Sequence, residues 1–401
     1  MNIFVAILGL GLLVFVHEAG HFVTARAVGM RPRRFYVGFP PPIVRFRRKG
    51  IEYGIGAIPL GGYVKIPGMH RPAPSDLDAF FGPALSEAPQ LLAPVDRVKR
   101  RLAEGDMDGA KALLPELTRA LGEVELSRMA RKGAQKGLAE IGDGLGSDAY
   151  WRQRTWKKVS VIFAGPGTNL LFAILVFTAL FVVGSGGYRL GFSLETNAPV
   201  VHAVRTDHPA ARIGLRPGDR IVSVNGVPVR NVSDVPPLIE RSRGNPITIT
   251  IKRGSEVIRL GPARPQAEAR LSVPSAAWAS LKLTGSITKE IGASLTRLVQ
   301  GQRKEVSSPV GIVEGSSEAL KQGLQTYLWV LGLLSLSLAL LNLLPLLPLD
   351  GGHIAFSIVE GIRGRAVGRE VYERVSALGI AVVLLLFFIG LSNDIGRLGG
   401  N

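Results

Sequence analysis

Four long segments of this chain carry no charged side chain, and they restrict its fold more than any other feature. Three of them cover about 159–184, 324–349 and 375–393, and residues 1–16 at the start of the chain are also uncharged. A helix needs about 20 apolar residues to cross a hydrocarbon core of roughly 30 Å. The sequence therefore predicts a polytopic α-helical membrane protein with about four transmembrane helices.

The first apolar segment continues into a cluster of ionisable residues, His17-Glu18-Ala19-Gly20-His21. Such residues are costly inside a bilayer unless they face a cavity or a ligand, so their presence there indicates a functional site. The alternative is a cleavable signal peptide. Against it, no basic residue precedes the apolar run, and His-Glu stands where the small residues of a cleavage site are expected.

The distribution of basic residues predicts the topology. Residues 22–50 hold eight Arg and Lys and no acidic residue, which the positive-inside rule assigns to the cytoplasm. Arg363, Arg365, Arg369 and Arg374 mark a second inner loop. Four alternating spans then place residues 185–323 and both termini outside the cytoplasm. The net charge of +17 fits an anionic membrane surface, and no nucleic-acid-binding motif is present, so no nucleic-acid partner is expected.

The H-E-x-x-H pattern predicts a metal site with a base beside it. On a helix, His17 and His21 lie four residues apart on one face and can bind one ion. Glu18 projects to the side of that pair, where it can accept a proton from a metal-bound water. The chain has no cysteine, so any further ligand must be His, Asp or Glu.

Asp350 is the predicted third ligand. It ends the third apolar segment after two prolines, and backbone freed by prolines at membrane depth is tolerated mainly where it lines a cavity. Both the first and third spans run inward, so the His pair and Asp350 reach the same depth. The alternatives are that Asp350 only caps a helix, or that His353 is the ligand instead of lying beside the site.

Short strands rich in Val and Ile alternate with turn residues over 198–226, and Asn225-Gly226 is a strong tight-turn signal. Over 187–265 this region resembles a PDZ domain in its permuted bacterial form. The resemblance implies a peptide-carboxylate loop from Gly187 that includes Tyr188, Leu190, Gly191 and Phe192. Such a module can bind a peptide as an added strand, or it can act only as a barrier to bulky proteins.

Together the motifs resemble the site-2 protease family of intramembrane zinc metalloproteases, in its RseP-like branch with one PDZ domain. The matching motifs, in chain order, are His17-Glu18-x-x-His21, Gly61-Gly62-Tyr63-Val64-Lys65, Gly165-Pro166-Gly167-Thr168-Asn169 and Asn342-x-x-Pro345-x-x-x-Leu349-Asp350-Gly351. An insertion over about 69–150 departs from the family pattern, as does the single PDZ unit where some relatives carry two.

The resemblance implies one zinc ion per chain, bound by His17, His21 and Asp350, with Glu18 as the general base for a zinc-activated water. It implies substrate contacts for Asn342 and for a re-entrant β-hairpin with residues Gly61, Gly62, Tyr63, Val64 and Lys65. Asn169 is assigned either to substrate binding or to a hydrogen bond between helices.

The resemblance implies a location in the inner or plasma membrane of a bacterial cell. The predicted function is intramembrane proteolysis of a single-span membrane protein within the lipid bilayer, near the cytoplasmic side. By resemblance, the substrate is an anti-sigma factor already cut by an upstream protease, or a remnant signal peptide. Two alternatives remain: a non-proteolytic PDZ scaffold with structural zinc, and a metal transporter. The retained Glu18 argues against the scaffold, and the lack of ionisable residues in spans two and four argues against the transporter.

The sequence thus divides into nine predicted units. They are 1–28 (first span), 29–68 (cytoplasmic loop and re-entrant β-hairpin), 69–158 (cytoplasmic or interfacial insertion), 159–184 (second span), 187–265 (extracytoplasmic PDZ domain), 266–323 (amphipathic connector), 324–351 (third span), 352–374 (cytoplasmic loop) and 375–393 (fourth span).

Overall fold

A computed structural model of the chain describes residues 2–184, 188–195, 198–267, 270–299, 308–364, 367 and 369–398. Its helices are α1 (Asn2–Ala27), α2 (Pro74–Glu87), α3 (Leu92–Ala103), α4 (Met107–Glu123), α5 (Arg128–Gly144), α6 (Thr155–Val183), α7 (Pro209–Arg212), α8 (Val235–Arg241), α9 (Val273–Val299), α10 (Pro309–Lys321), α11 (Leu324–Asn342), α12 (Asp350–Arg363) and α13 (Arg369–Leu398). Its strands are β1 (Arg34–Arg48), β2 (Ile51–Lys65), β3 (Tyr188–Arg189), β4 (Phe192–Leu194), β5 (Val201–Val204), β6 (Arg220–Val224), β7 (Val227–Pro228), β8 (Ile247–Arg253), β9 (Glu256–Ala263) and β10 (Gln266–Ala267).

Four helices are long and apolar enough to cross a membrane, and each lies where the sequence predicts a span. They are α1, α6, α11 and residues Val371–Gly396 of α13. The chain divides into two compact units, one made of residues 1–173 with 284–401 and the other of residues 174–283. The predicted connector 266–323 contains two helices, α9 and α10.

The third span is shorter than the sequence predicts. Helix α11 ends at Asn342, and Asp350 is the first residue of a separate helix, α12. Pro345 and Pro348 cause the break, because proline has no N–H to donate and clashes with the preceding helical turn. Helix α12 continues to Arg363, so the predicted loop 352–374 is largely helical. Arg365, one of the residues used to assign that loop to the cytoplasm, lies outside the described residues.

The β-structure near the first span differs in extent from the predicted hairpin. Residues 51–65 form one continuous strand, β2, whose two halves pair with β1 and not with each other. Strand β1 covers residues 34–48, much of which was expected to be a loop. Both strands bend, so that Arg34–Val37 pairs with Glu52–Ile55 on one side and with Gly62–Lys65 on the other. Gly62–Lys65 therefore forms an edge of this sheet among the described residues.

The insertion is a helical unit with its own hydrophobic core. The apolar faces of α2–α5 meet in a core that includes Leu77, Phe81, Leu91, Val98, Leu117 and Ile141. Burial of such a face supplies most of the stability of short helices, so the insertion folds around its own core. Its placement at the membrane stays a prediction.

The second unit contains a small β-fold over residues 188–267. A four-stranded sheet has the order β7-β6-β8-β9, and β4-β5 and β3-β10 form separate pairs. Asn225 and Gly226 both have positive φ angles, 50° and 82°, and they join β6 to β7 as the turn signal predicts. Gly187, the first residue of the predicted PDZ loop, lies outside the described residues.

A buried ion pair in this unit predicts a pH-dependent stability. Burial opposes the charge of Asp219, but two hydrogen bonds of 2.7 Å from the Arg253 guanidinium and one from the Arg216 N–H hold the pKa of Asp219 below its usual value. The unfolded carboxyl titrates near pH 3.9. The stabilisation is therefore present above that pH and is lost as the pH falls through the lower, folded pKa.

We expect Arg253→Gln to destabilise the β6–β8 region by roughly 1–3 kcal/mol at neutral pH, because a charged acceptor loses its partners. Hydrogen exchange of β6 and β8 in the full chain measures this loss. The control is Arg220→Gln, which changes an exposed cation on β6. Equal protection in both variants at neutral pH would contradict the assignment.

Candidate metal centre

Helices α1 and α6 cross closely at the H-E-x-x-H segment because small residues face each other there. A Cβ on Gly20 would overlap the Ala164 carbonyl oxygen and lie 2.6 Å from the Thr168 hydroxyl oxygen. The Thr168 hydroxyl also donates a 3.0 Å hydrogen bond to the carbonyl of Val16. Small residues let helix backbones approach closely, and side-chain hydroxyls bond across the crossing. This crossing therefore holds the turn of α1 that carries His17 and His21 in place against α6.

Three potential metal donors converge at this crossing: His17, His21 and Asp350. The Nε2 atoms of the two imidazoles are 3.3 Å apart. Asp350 Oδ2 lies 3.1 Å from His17 Nε2 and 3.4 Å from His21 Nε2. The two histidines are buried, and the Asp350 side chain is 17% exposed. The residues that the sequence predicts as ligands are thus adjacent, although 329 positions separate His21 from Asp350.

These distances suit a tetrahedral zinc ion. Zinc binds imidazole nitrogen and carboxylate oxygen at about 2.0–2.2 Å, and a tetrahedron built on such bonds has donors about 3.3–3.6 Å apart. The three observed separations lie close to that value. Asp350 Oδ2 is also buried without a hydrogen-bond partner in the described part of the chain, which is costly for a carboxylate oxygen unless a cation compensates it. The donor set therefore fits zinc.

Contacts behind the imidazoles orient them toward this centre. His21 Nδ1 lies 2.8 Å from the Val161 carbonyl, which can only accept, so Nδ1 carries the proton and Nε2 is left as the donor to a metal. Asn169 lies behind His17, with its amide 3.5 Å from Nδ1. Asn169 Oδ1 is otherwise unpaired, and turning the amide over would let it accept the Nδ1 proton of His17.

Asn169 is fully buried, and its backbone carbonyl accepts a hydrogen bond from Ser335 on α11. Of the two predicted roles, the placement favours a contact between helices over direct contact with a substrate, because no part of Asn169 is accessible.

Glu18 lies between the two histidines in the sequence and against the edge strand β2. A Cβ on Gly62 would lie 2.9 Å from Cγ of Glu18 and 3.0 Å from Val14 on the same helix. Only a glycine allows β2 to pass this close to α1. The structure thus brings Gly62, in the predicted substrate-binding segment, next to the predicted base. Tyr63 stacks on Tyr36 of β1, with ring centroids 5.2 Å apart.

Lys65, at the end of the same strand, bonds to the insertion. Its ammonium is 2.7 Å from Glu140 and 3.5 Å from Asp143, both on α5. Gly61 has a positive φ of 120° and packs under the ring of Phe39.

Gly165 lies directly against the metal donors. The sequence identifies it only as one position of the motif over residues 165–169. An added Cβ there would overlap His21 Nε2 and lie 2.9 Å from His17 Nε2. The two imidazoles therefore occupy the space that a side chain at 165 would need. A Gly-Pro-Gly sequence in an apolar helix signals close packing, but which residue packs against it is visible only in three dimensions.

Two other predicted residues lie away from the donor set. The Asn342 amide donates a 3.0 Å hydrogen bond to the carbonyl of Leu338 in its own helix. His353 is hydrogen-bonded to the Tyr372 hydroxyl, which lies 2.6 Å from its Nδ1, and it is not part of the donor cluster.

Asp350 does stand in the first turn of a helix, as the capping alternative requires, but its Oδ2 points to the histidines.

The predicted peptide-loop residues belong to the second unit. Leu190 is buried in the core of that unit, so its side chain is not available to a ligand. Gly191 has a positive φ of 85°, and β4, which begins at Phe192, pairs with β5. Tyr188 pairs with Ala267 in the small β3–β10 sheet.

Comparison with known proteins shows the family of this chain. The model of peptidase family M50 matches residues 5–386, nearly the whole chain. The chain belongs to peptidase family M50, the site-2 proteases. This membership confirms the predicted family and identifies the protein as a membrane metalloprotease.

Two relatives of this M50 peptidase are matched from end to end. One is the regulator of sigma-W protease RasP of Bacillus subtilis, 27% identical over 421 residues that cover 97% of this chain and 96% of the relative. The other is the zinc metalloprotease RasP of Bacillus licheniformis, 27% identical over 434 residues that cover 99% of this chain and all of the relative.

Proposed function

We propose that this M50 peptidase is an intramembrane zinc endopeptidase that cleaves single-span membrane proteins. The observation that carries the proposal is the triangle of His17 Nε2, His21 Nε2 and Asp350 Oδ2, with sides of 3.1–3.4 Å. Three protein ligands leave the fourth tetrahedral position open, which is typical of catalytic zinc and not of structural zinc. One zinc ion per chain follows from the single donor cluster among the described residues.

His17, His21 and Asp350 would hold a zinc ion, which would supply Lewis-acid chemistry beside the scissile carbonyl and make a water molecule there more acidic. Glu18 is the general base: its carboxylate accepts a proton from the attacking water and later passes it to the leaving amine. Asn169 and the Val161 carbonyl keep the two imidazoles in the orientation that leaves Nε2 free. The buried position of Glu18 excludes bulk water from that proton transfer.

The substrate binds as an extended strand along Gly61–Lys65. A peptide bond within a helix is shielded by its own hydrogen bonds, so the substrate helix must unwind before attack. An edge strand stabilises the unwound form by pairing with its backbone. Gly62–Lys65 is paired on one side only, with Arg34–Val37, and it passes beside Glu18. Asn342 contributes a side-chain amide near the end of α11 to the same substrate.

The physiological substrates are anti-sigma factors already shortened by an upstream protease, or remnant signal peptides. The name of the Bacillus subtilis relative, a regulator of sigma-W, supports the first class. The 188–267 β-fold is a PDZ domain on the extracytoplasmic side, where it binds or screens the freshly cut end. The basic segment after α1 is cytoplasmic, the catalytic centre lies near that side, and both termini are extracytoplasmic.

Asp350→Ala tests the proposal, because it removes the only oxygen donor of the triangle. We expect zinc affinity to fall by at least a factor of roughly 100 and cleavage of a reconstituted single-span substrate to be lost. The control is His353→Gln, which removes a nearby imidazole that is bonded to Tyr372 and is not in the cluster. Zinc content and cleavage are measured on the same preparations. Normal zinc binding by Asp350→Ala, or loss of zinc in His353→Gln, would reject the proposed ligand set.

A further inference from the structure

A basic cavity at the C-terminal end of α1 has no part in the proposed reaction. Its volume is about 950 Å³, within the size range of ligand sites. It is formed by the end of α1, the connection to β1 and the turn between β1 and β2. Its lining includes five cationic side chains, Arg26, Arg31, Arg33, Arg48 and Lys49, and none of the three metal donors.

Most of the cationic side chains around this cavity form no ion pair with the described residues. Its lining contains no acidic residue. Arg33 is neutralised from the insertion by Asp143 at 2.7 Å and Asp148 at 3.0 Å. In the part of the chain that the structure describes, Arg31, Arg48 and Lys49 are exposed and form no ion pair. Several like charges around one concavity repel each other and attract a counter-ion of opposite sign.

The backbone fixes two of these cations in place. Lys49 and Gly50 have positive φ angles of 51° and 79°, which form the tight turn between β1 and β2. Because this turn ends a paired strand, Arg48 and Lys49 are held at the cavity rim. The carbonyl groups at the end of α1 carry a partial negative charge of only about half a unit. Arg31, Arg48 and Lys49, which form no ion pair with the described residues, outweigh it.

One wall of the cavity is apolar. Phe46 and Tyr53 both line it, and their rings are stacked with centroids 5.3 Å apart. Phe46 is 58% exposed. Tyr53 also contacts Phe22 on α1, at 5.9 Å. A cationic pocket with an aromatic wall, at the end of a helix long enough to span a membrane, matches a ligand with an anionic head and an apolar tail.

We propose that this cavity binds the phosphate-bearing headgroup of an anionic phospholipid. The phosphate, with Arg31, Arg48 and Lys49 as its main partners, supplies the recognition chemistry, and the acyl chains follow the aromatic wall. Basic residues next to a membrane-spanning segment attract anionic lipids, and here they are gathered around a cavity large enough for a whole headgroup. A free phosphate ion shares the charge but not the apolar part.

The test uses the full-length protein in vesicles that contain equal amounts of phosphatidylglycerol and phosphatidylcholine. The protein is extracted in a mild detergent, and the lipids that remain bound are counted by native mass spectrometry. The variant is Arg31→Gln/Arg48→Gln/Lys49→Gln. The matched control is Arg119→Gln/Arg128→Gln/Lys132→Gln, which removes the same charges from exposed positions on the insertion. Elution profiles check that both variants fold.

We expect the wild type and the control to retain phosphatidylglycerol in preference to phosphatidylcholine, and the cavity variant to lose that preference by roughly tenfold or more. If both variants lost the preference for phosphatidylglycerol equally, the preference would depend on net charge alone, and the proposed site would be rejected. Absence of any preference in the wild type would also reject it. In a second arm, inorganic phosphate is added: displacement of phosphatidylglycerol by phosphate at equal concentration would assign the cavity to a free anion and overturn the lipid proposal.

Discussion

Glu18→Gln is expected to lower the cleavage rate by about 10²–10⁴-fold, the usual contribution of a general base, while zinc stays bound. The amide has nearly the shape of the carboxylate, so the close approach of Gly62 to this side chain is kept. It cannot accept a proton from the attacking water, however. Glu18 is not one of the three converging donors, so its replacement leaves the metal site intact.

This prediction needs cleavage and zinc content to be measured together. Single-turnover cleavage of a reconstituted single-span substrate gives the rate, and metal analysis of the same sample gives the occupancy. Glu125→Gln, the same chemical change at an exposed position on the insertion, serves as the control. Undiminished cleavage by Glu18→Gln would rule out Glu18 as the base. Loss of zinc together with activity would instead make it a ligand.

Gly165→Ala is expected to weaken zinc binding strongly, although it adds a single methyl group. The new Cβ would overlap His21 Nε2 and lie 2.9 Å from His17 Nε2, so both imidazoles must move. The Val161 carbonyl holds His21 from behind and Asn169 lies 3.5 Å behind His17, so both rings have little room to move away. We expect zinc affinity to fall by roughly 10–100-fold or more, with a parallel loss of cleavage.

Gly11→Ala is the matched control for Gly165→Ala, because it adds the same methyl group to a membrane helix where no atom lies within 4 Å of the new Cβ. Competition with a chelator of known affinity measures zinc binding, and helical content by circular dichroism checks folding. If Gly165→Ala bound zinc as tightly as Gly11→Ala, the imidazoles would have to occupy different positions from those described.

Local patterns predicted the spans well because hydrophobicity and length decide them. Helices α1 and α6 begin and end within a few residues of the predicted segments. The third span was predicted too long because residues 343–349 are as apolar as the helix before them, and hydropathy does not distinguish a helix from the proline-broken segment that follows it. Asp350 was predicted at the end of the third span, whereas the structure has it as the first residue of α12.

The sheet at the first span could not be predicted because its pairing is not local. Gly and Pro residues in 51–68 indicated a hairpin, whereas β2 pairs with β1, which begins 17 residues before it. The insertion likewise displayed amphipathic segments but not their assembly into one core, since an apolar face alone does not identify its partner.

Sequence alone determined the membrane class, the four apolar segments and the chemical types available to a metal, because charge, length and the absence of cysteine are properties of the chain itself. It also suggested Asp350 as the partner of the two histidines. Only the tertiary structure decided that three donor atoms lie 3.1–3.4 Å apart, that Gly62 brings β2 against Glu18, and that Gly165 leaves room for the imidazoles. Such distances depend on how distant segments pack, which no local pattern encodes.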